Sequence, residues 1–341
     1  MNTDLKILVI GLGSMGKRRT RNLQSLGFKN IYGFDLRTDR CTEAKEKYGI
    51  TVFSNWEEAI TITNYDAYII SVPPDVHHIY MQEAVEVGIP FFVEAGVLDK
   101  NYDDIIRLSK EKKIVAAPSA TLYFHPAVKM IFKIVRDGVL GNISNVMYHS
   151  GQYLPDWHTY ESVSDYYVSN PETGGAREIT PFELTWLTKL FGFPETVNGV
   201  VRKSIHIEGA EKIDDTYQML LDYKTYSMNV VIDVVSRFAT RRLLINGDKK
   251  QLVWEWNENC VKIFHPEKKE WETLQYETKQ AAAGYNKNII EEMYADELVN
   301  FFNAVEGKEE FFNTLEYDLK VLRLLYAAEK SYREKEVVKF S

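Results

Sequence analysis

Three glycines and one carboxylate carry the clearest chemistry in this sequence. Gly11-Leu12-Gly13-Ser14-Met15-Gly16 follows the short apolar run Ile7-Leu8-Val9-Ile10, and Asp35 closes a second such run, Ile31-Tyr32-Gly33-Phe34. Gly11 permits a tight turn off a strand. Gly13 lets the backbone approach a pyrophosphate, and Gly16 lets the following helix pack closely on the sheet. Unpaired N–H groups and the positive dipole end of that helix then face the phosphates, Ser14 and Met15 lying in the same turn. Asp35 comes 19 residues after Gly16, where an acid accepts hydrogen bonds from an adenosine ribose. Its charge repels a 2′-phosphate, which favours NAD(H) over NADP(H). Arg37 tempers that preference, since it can stack on adenine or reach a 2′-phosphate.

The elements that must position these groups alternate. Strands are expected at 7–10, 31–35, 51–53, 67–72, 91–94 and 114–117, with helices between them, one entered at the N-cap Asn55. That alternation specifies a doubly wound parallel sheet, a Rossmann-type α/β domain spanning 1–121. From 122 the pattern changes to an α+β domain reaching 341. Helices are expected at 128–136 and 178–191. Strands follow at 197–207, 215–223, 227–235, 243–245, 251–256 and 261–264 without helices between them, which means a mostly antiparallel sheet. A loop at 281–288 and helices at 289–306 and 314–330 close the chain.

Length and composition bound the reading. The 341 residues allow two domains, and 45 % hydrophobic with 26 % charged residues is ordinary for a globular protein. A net charge of −8 argues against a nucleic-acid surface, and the basic cluster Lys17 to Arg21 reads as the solvated face of the first helix. Cys41 and Cys260 lack metal-ligand or disulfide spacing. With no signal peptide and no apolar run of membrane length, a cytoplasmic protein with a small-molecule substrate is expected, without metal, nucleic-acid or membrane partners.

Local sequences then resemble the Gfo/Idh/MocA oxidoreductases over essentially the whole chain. The matching pieces are the glycine turn continuing into Lys17-Arg18-Arg19, Val72-Pro73-Pro74-Asp75-Val76-His77, Phe124-His125-Pro126-Ala127, Gly174-Gly175-Ala176, Leu190-Phe191-Gly192, Ile245-Asn246-Gly247 and Ala327-Ala328-Glu329-Lys330-Ser331. The resemblance implies a nicotinamide over the carboxyl edge of the parallel sheet, with Ser71, Pro73, His77 and Glu94 in the cofactor site. It implies a sugar, cyclitol or nucleotide-sugar substrate, and a homodimer or homotetramer formed through the second sheet.

The same resemblance shows what is altered. The family's Glu-Lys-Pro reads Glu94-Ala95-Gly96, and its Asp-x-x-x-His pair becomes Glu178 and Phe182, with Thr185 replacing a further Asp. The Arg before Phe124 is Tyr123. Neither Ala95 nor Phe182 can carry a proton. The aromatic, acidic stretch from Tyr153-Leu154-Pro155-Asp156-Trp157-His158 to Asp165-Tyr166-Tyr167 resembles family members acting on sugar nucleotides. His158 and Glu178 are therefore the candidate proton-transfer groups, and Tyr123, Trp157, Asp165, Tyr166 and Arg177 the candidate substrate contacts. Equally, Trp157 and the tyrosines can pack under a long loop with His158 solvated, and Arg177 can simply pair with Glu178 or Glu183. Three readings stay open: an NAD-dependent oxidoreductase with a non-standard proton-transfer residue, a nucleotide-binding regulatory homologue, and epimerase- or eliminase-like chemistry with recycled NAD.

Overall fold

Strand β1 (Lys6–Ile10) is wholly apolar after its first residue, and Ile7 to Ile10 are inaccessible to solvent, as a central strand covered on both faces requires. The computed structural model describes residues 1–158, 161–278 and 290–340. The expected loop at 281–288, and Thr159 and Tyr160 of the aromatic stretch, lie outside them.

From β1 the chain continues through α1 (Ser14–Ser25), β2 (Asn30–Phe34), α2 (Thr38–Tyr48), β3 (Thr51–Phe53), α3 (Trp56–Thr61), β4 (Ala67–Ile70), α4 (His77–Val87), β5 (Phe91–Val93), α5 (Tyr102–Lys112) and β6 (Ala116–Pro118). Asn55 caps α3, its side chain accepting from the Glu58 amide at 3.1 Å. The strands form one parallel sheet in the order β3-β2-β1-β4-β5-β6. Because they are parallel, the loops after β1, β2, β4 and β5 all leave from one edge. The strand order reverses between β1 and β4, which is where ligands bind in open α/β sheets.

The second part comprises α6 (Pro126–Arg136), β7 (Ile143–Tyr153), α7 (Ala176–Phe191), β8 (Thr196–Arg202), β9 (Thr216–Asp222), β10 (Ser227–Asp233), β11 (Val235–Gly247), β12 (Gln251–Glu255), β13 (Cys260–His265) and β14 (Glu270–Gln275). Helices α8 (Glu291–Val305) and α9 (Leu315–Glu334) and the short β15 (Val338–Lys339) follow. The sheet order is β14-β13-β12-β11-β7-β10-β9-β8-β15, antiparallel throughout except for the parallel pair β7–β10. Alternation sets its faces: Tyr217, Met219 and Leu221 are buried while Gln218, Leu220 and Asp222 are exposed. Two differences from the sequence reading stand out. The expected strand at 243–245 is the end of a 13-residue β11, and β14 has no counterpart among the expected strands because its side chains are mostly exposed and give no apolar face.

The chain forms two units, Met1–Thr121 with Tyr294–Leu319, and Leu122–Met293 with Lys320–Ser341. In this division Tyr294–Leu319 packs with Met1–Thr121. Leu298, Phe301, Phe302 and Phe311 belong to the first unit's core, with Phe302 against Phe28 at 4.4 Å between ring centroids. Among the described residues no helix is long and apolar enough to cross a membrane.

Candidate active site

In the first unit the three glycines have distinct steric reasons. Gly11 has φ +92°, and a Cβ there would lie 2.6 Å from the Ser71 carbonyl oxygen. A Cβ on Gly16 would stand 1.7 Å from the Gly11 carbonyl oxygen, so α1 packs on the turn only through glycine. At Gly13 the nearest atom is a flexible one, the Arg40 guanidinium at 3.4 Å, and no backbone closes that face. Gly13 is also the N-cap of α1, brings no side-chain cap, and is followed by no acid in the first turn. An open approach to a helix N-terminus suits an anionic pyrophosphate.

Asp35 is buried and already holds the turn: Leu12 N donates to Oδ2 at 2.8 Å and Arg37 N to Oδ1 at 2.9 Å. A carboxylate has about four acceptor positions, so room for a ribose hydroxyl remains. The Arg37 guanidinium forks onto Asp39 at 2.6 and 3.1 Å. Arg40, which the sequence reading passed over, brings its Nη1 to 3.6 Å from Asp35 Oδ2. After β4, His77 donates from Nε2 to the Val72 carbonyl at 2.8 Å, since a carbonyl can only accept. Burial holds His77 down at about 4, so the imidazole is neutral near pH 7.

Glu94 does not stand as an open carboxylate. It receives Arg19 through Nε at 2.6 Å and Nη2 at 2.9 Å, and Ser71 Oγ at 3.3 Å. Arg19 also donates to Glu297 at 2.9 Å. The expectation that Lys17 to Arg21 is a solvated face is thus corrected: Arg18 and Arg19 are 1 % and 0 % exposed. Positions 16, 19, 20 and 23 repeat at helical spacing, and that periodicity could have revealed the buried face.

In the second unit the site is built around the start of α7. Gly175 has φ +67°, and a Cβ on Gly174 would lie 1.9 Å from the Val168 carbonyl oxygen. The two glycines therefore let the preceding loop fold against the helix entrance. Glu178, in the first turn, accepts from the Tyr167 hydroxyl at 2.5 Å through Oε1. Its Oε2 is shielded from solvent and has no hydrogen-bond partner among the described residues. Burial raises the Glu178 carboxyl to about 7, opposed by the Tyr167 hydrogen bond. Phe182, half-buried one turn on, offers no acid or base.

The aromatic loop gathers beside it. His158 stacks on Tyr166 at 4.6 Å, and its Nδ1 meets Glu161 Oε1 at 2.7 Å, so it is neither solvated nor alone. Tyr166 in turn meets the Tyr167 ring edge-on at 6.0 Å. Trp157 keeps a buried Nε1 without a partner among the described residues. Asp165 is exposed, with Ser164 Oγ at 3.0 Å. Tyr123 packs edge-on against Phe124 and Phe132, both at 5.3 Å. Arg177 pairs with Glu329. It donates to Glu329 at 2.7 Å and to the Glu172 carbonyl at 2.5 Å. Glu183 is fully buried and accepts Tyr148, Ser150, Trp186 and Arg241, an anchor of α7 on the sheet. His125 caps α6, its Nδ1 accepting from Ala127 N at 3.1 Å.

Residues 5–114 match the sequence pattern described as "Oxidoreductase family, NAD-binding Rossmann fold", and residues 133–340 match "Oxidoreductase family, C-terminal alpha/beta domain". The chain is 24 % identical to the myo-inositol 2-dehydrogenase of Thermotoga maritima, over 98 % of each sequence. Levoglucosan dehydrogenase in complex with NADH and levoglucosan shares the fold, with a TM-score of 0.84 at 16 % identity over 99 % of each chain. Myo-inositol 2-dehydrogenase from Lactobacillus plantarum does so with a TM-score of 0.82 at 18 % identity, over 99 % of this chain and 100 % of that one. With both halves matched in order, this chain belongs to the Gfo/Idh/MocA family of oxidoreductases, and its residues 5–114 are the family's NAD-binding Rossmann fold.

Proposed function

We propose that the chain interconverts a secondary alcohol and its ketone on a sugar, cyclitol or nucleotide sugar, using NAD(H), and that Glu178 exchanges the hydroxyl proton. The observation that carries this reading is Glu178 itself, a carboxyl with one oxygen held by Tyr167, the other unpartnered among the described residues, and a proton affinity near neutrality. NAD supplies the hydride acceptor or donor when bound. The Gly11 to Gly16 turn and the α1 N-terminus would receive its pyrophosphate and Asp35 its ribose, with the Asp35 charge disfavouring a 2′-phosphate.

A group titrating near 7 serves both directions. As a carboxylate, Glu178 Oε2 takes the proton of the alcohol; as the acid, it returns one to a carbonyl oxygen. Ala95 and Phe182 leave that task open. His158 is the second candidate, but Glu161 occupies its Nδ1 and Tyr166 its face, which suits a binding wall better than a base. Trp157 Nε1 can donate to a ligand hydroxyl, and aromatic faces stack on sugar rings. The levoglucosan in the levoglucosan dehydrogenase complex and the two myo-inositol 2-dehydrogenases support this substrate class.

The test is NADH formation, followed by its absorbance, with NAD⁺ and a panel of cyclitols, free sugars and nucleotide sugars. Reduction with a member of the panel is expected. NADH binding with no turnover across the panel would instead favour the regulatory reading that Ala95 and Phe182 also motivate. We further propose a homodimer or homotetramer through the open sheet face, where Met147 is 51 % and Leu220 41 % exposed. Light scattering would return the mass of two or four chains, and a monomer mass would contradict it.

A further inference from the structure

The Glu178 carboxyl is held from outside its own helix. Its Oε1 takes the Tyr167 hydroxyl at 2.5 Å, and nothing among the described residues takes Oε2. Tyr167 reaches that position because its loop is closed onto the helix entrance. Gly174 N donates to the Asn170 carbonyl at 2.8 Å, and Thr173 Oγ1 to the Tyr167 carbonyl at 3.2 Å. The Val168 carbonyl lies where a Gly174 side chain would be, and Tyr166 braces the Tyr167 ring edge-on.

Among the described residues, charged groups of α7 and the loop before it have the following partners. On α7, Arg177 is paired with Glu329 of α9, and Glu183 with Arg241 of β11. On the loop, His158 is paired with Glu161, and exposed Asp165 takes the Ser164 hydroxyl. Asp214, before β9, lies in the field of Glu329 and Arg177. Burial and the Tyr167 hydroxyl are what act on Glu178.

We infer that Tyr167 is the positioning residue for Glu178: its hydroxyl occupies Oε1 and leaves Oε2 as the atom that meets the substrate hydroxyl. The assignment rests on the proton-transfer reading of Glu178 above. Donation by the hydroxyl stabilises the charged carboxylate against burial, so Tyr167 also sets where Glu178 ionises. Without it, burial acts unopposed and Glu178 holds its proton to higher pH.

The test is a carbon-13 NMR titration of the full chain labelled at glutamate carboxyls and tyrosine ring carbons. The Glu178 signal is identified by its loss in Glu178→Gln. In the wild type, the Tyr167 ring signal should titrate with the same midpoint as Glu178. In Tyr167→Phe, which keeps the ring contact, the Glu178 midpoint should rise by about one pH unit, the size expected for losing a hydrogen bond to a charged group. The acid limb of kcat/KM should move up with it. Independent titration of the two residues, or an unchanged Glu178 midpoint in Tyr167→Phe, would overturn the assignment. Joint titration combined with full turnover in Glu178→Gln would leave Tyr167 coupled to Glu178 but defeat its role in the reaction, since the proton-transfer reading would then have failed.

Discussion

Replacing Glu297 tests how the first unit holds its cofactor-side turn together. Glu297 is fully buried, and its two oxygens serve four donors: Ala120 N at 2.6 Å and Ser119 Oγ at 3.1 Å on Oε1, Thr121 Oγ1 at 2.8 Å and Arg19 Nη2 at 2.9 Å on Oε2. Arg19 in turn carries Glu94 and with it the Glu94-Ala95-Gly96 turn. The hydroxyls of Ser119 and Thr121 can rotate to other acceptors; the Ala120 amide and the Arg19 guanidinium cannot. Glu297→Ala leaves both donors short of an acceptor in a dry interior, and breaking a buried pair of this kind costs about 3–5 kcal/mol. Glu94 still balances the Arg19 charge, which places the loss near the middle, at about 4 kcal/mol. Glu297→Gln keeps one acceptor oxygen, so either Ala120 N or Arg19 faces an amide N–H, at about 2 kcal/mol.

Native-state hydrogen exchange of β1 and β4 amides reads this directly, because the slowest amides report the opening free energy. Glu297→Ala should accelerate their exchange about a thousandfold and Glu297→Gln by about thirtyfold. Acceleration below about tenfold in Glu297→Ala, which is 1.4 kcal/mol, or a larger effect from Gln than from Ala, would refute the reasoning.

Two further outcomes follow from the same structure. Gly16→Ala puts a methyl 1.7 Å from the Gly11 carbonyl oxygen, so α1 must shift and NADH affinity should fall about a hundredfold in a fluorescence titration; unchanged affinity would contradict the steric role of Gly16. Asp318 is buried against the Tyr102 hydroxyl at 2.7 Å, and burial lifts it from the ordinary 3.8 to about 6. The folded state then binds the extra proton, so this group's contribution to stability falls as pH rises from about 4 to about 6, by about 3 kcal/mol in all. Asp318→Asn should flatten that fall in urea titrations at the two ends of the window, and an unaltered pH dependence would count against it.

The parallel sheet was legible because its cues are local. An apolar run too short for a helix, glycines at fixed offsets and an acid after the second strand each state their own steric or electrostatic need. Arg19 was not legible in that way, because its partners Glu94 and Glu297 lie 75 and 278 residues away, and a run of basic residues looks solvated until they are in place. Asp215 is a similar case. Adjacent acids before a strand suggest a solvated turn, yet Asp215 is buried and gathers Ser204 N, Ser204 Oγ and Ile205 N within 3.0 Å. Edge strand β14 lacks a buried face and so lacks a pattern. At the site, Glu178 was legible through the glycine pair before it, whereas the contact made by Tyr167 depends on loop closure over Gly174, which no spacing announces. Arg40 was missed for Arg37 because both follow Asp35 closely and only the start of α2 decides which one turns back toward it.

Whether Glu178 moves the substrate proton in an NAD-dependent reaction is read by comparing turnover of the wild type and Glu178→Gln with NAD⁺ and the substrate that the panel selects. NADH affinity is titrated on both proteins alongside. The Gln variant should lose about 10²–10⁴ in kcat, the usual worth of a positioned proton-transfer group, with NADH affinity unchanged. Undiminished kcat in Glu178→Gln would contradict it.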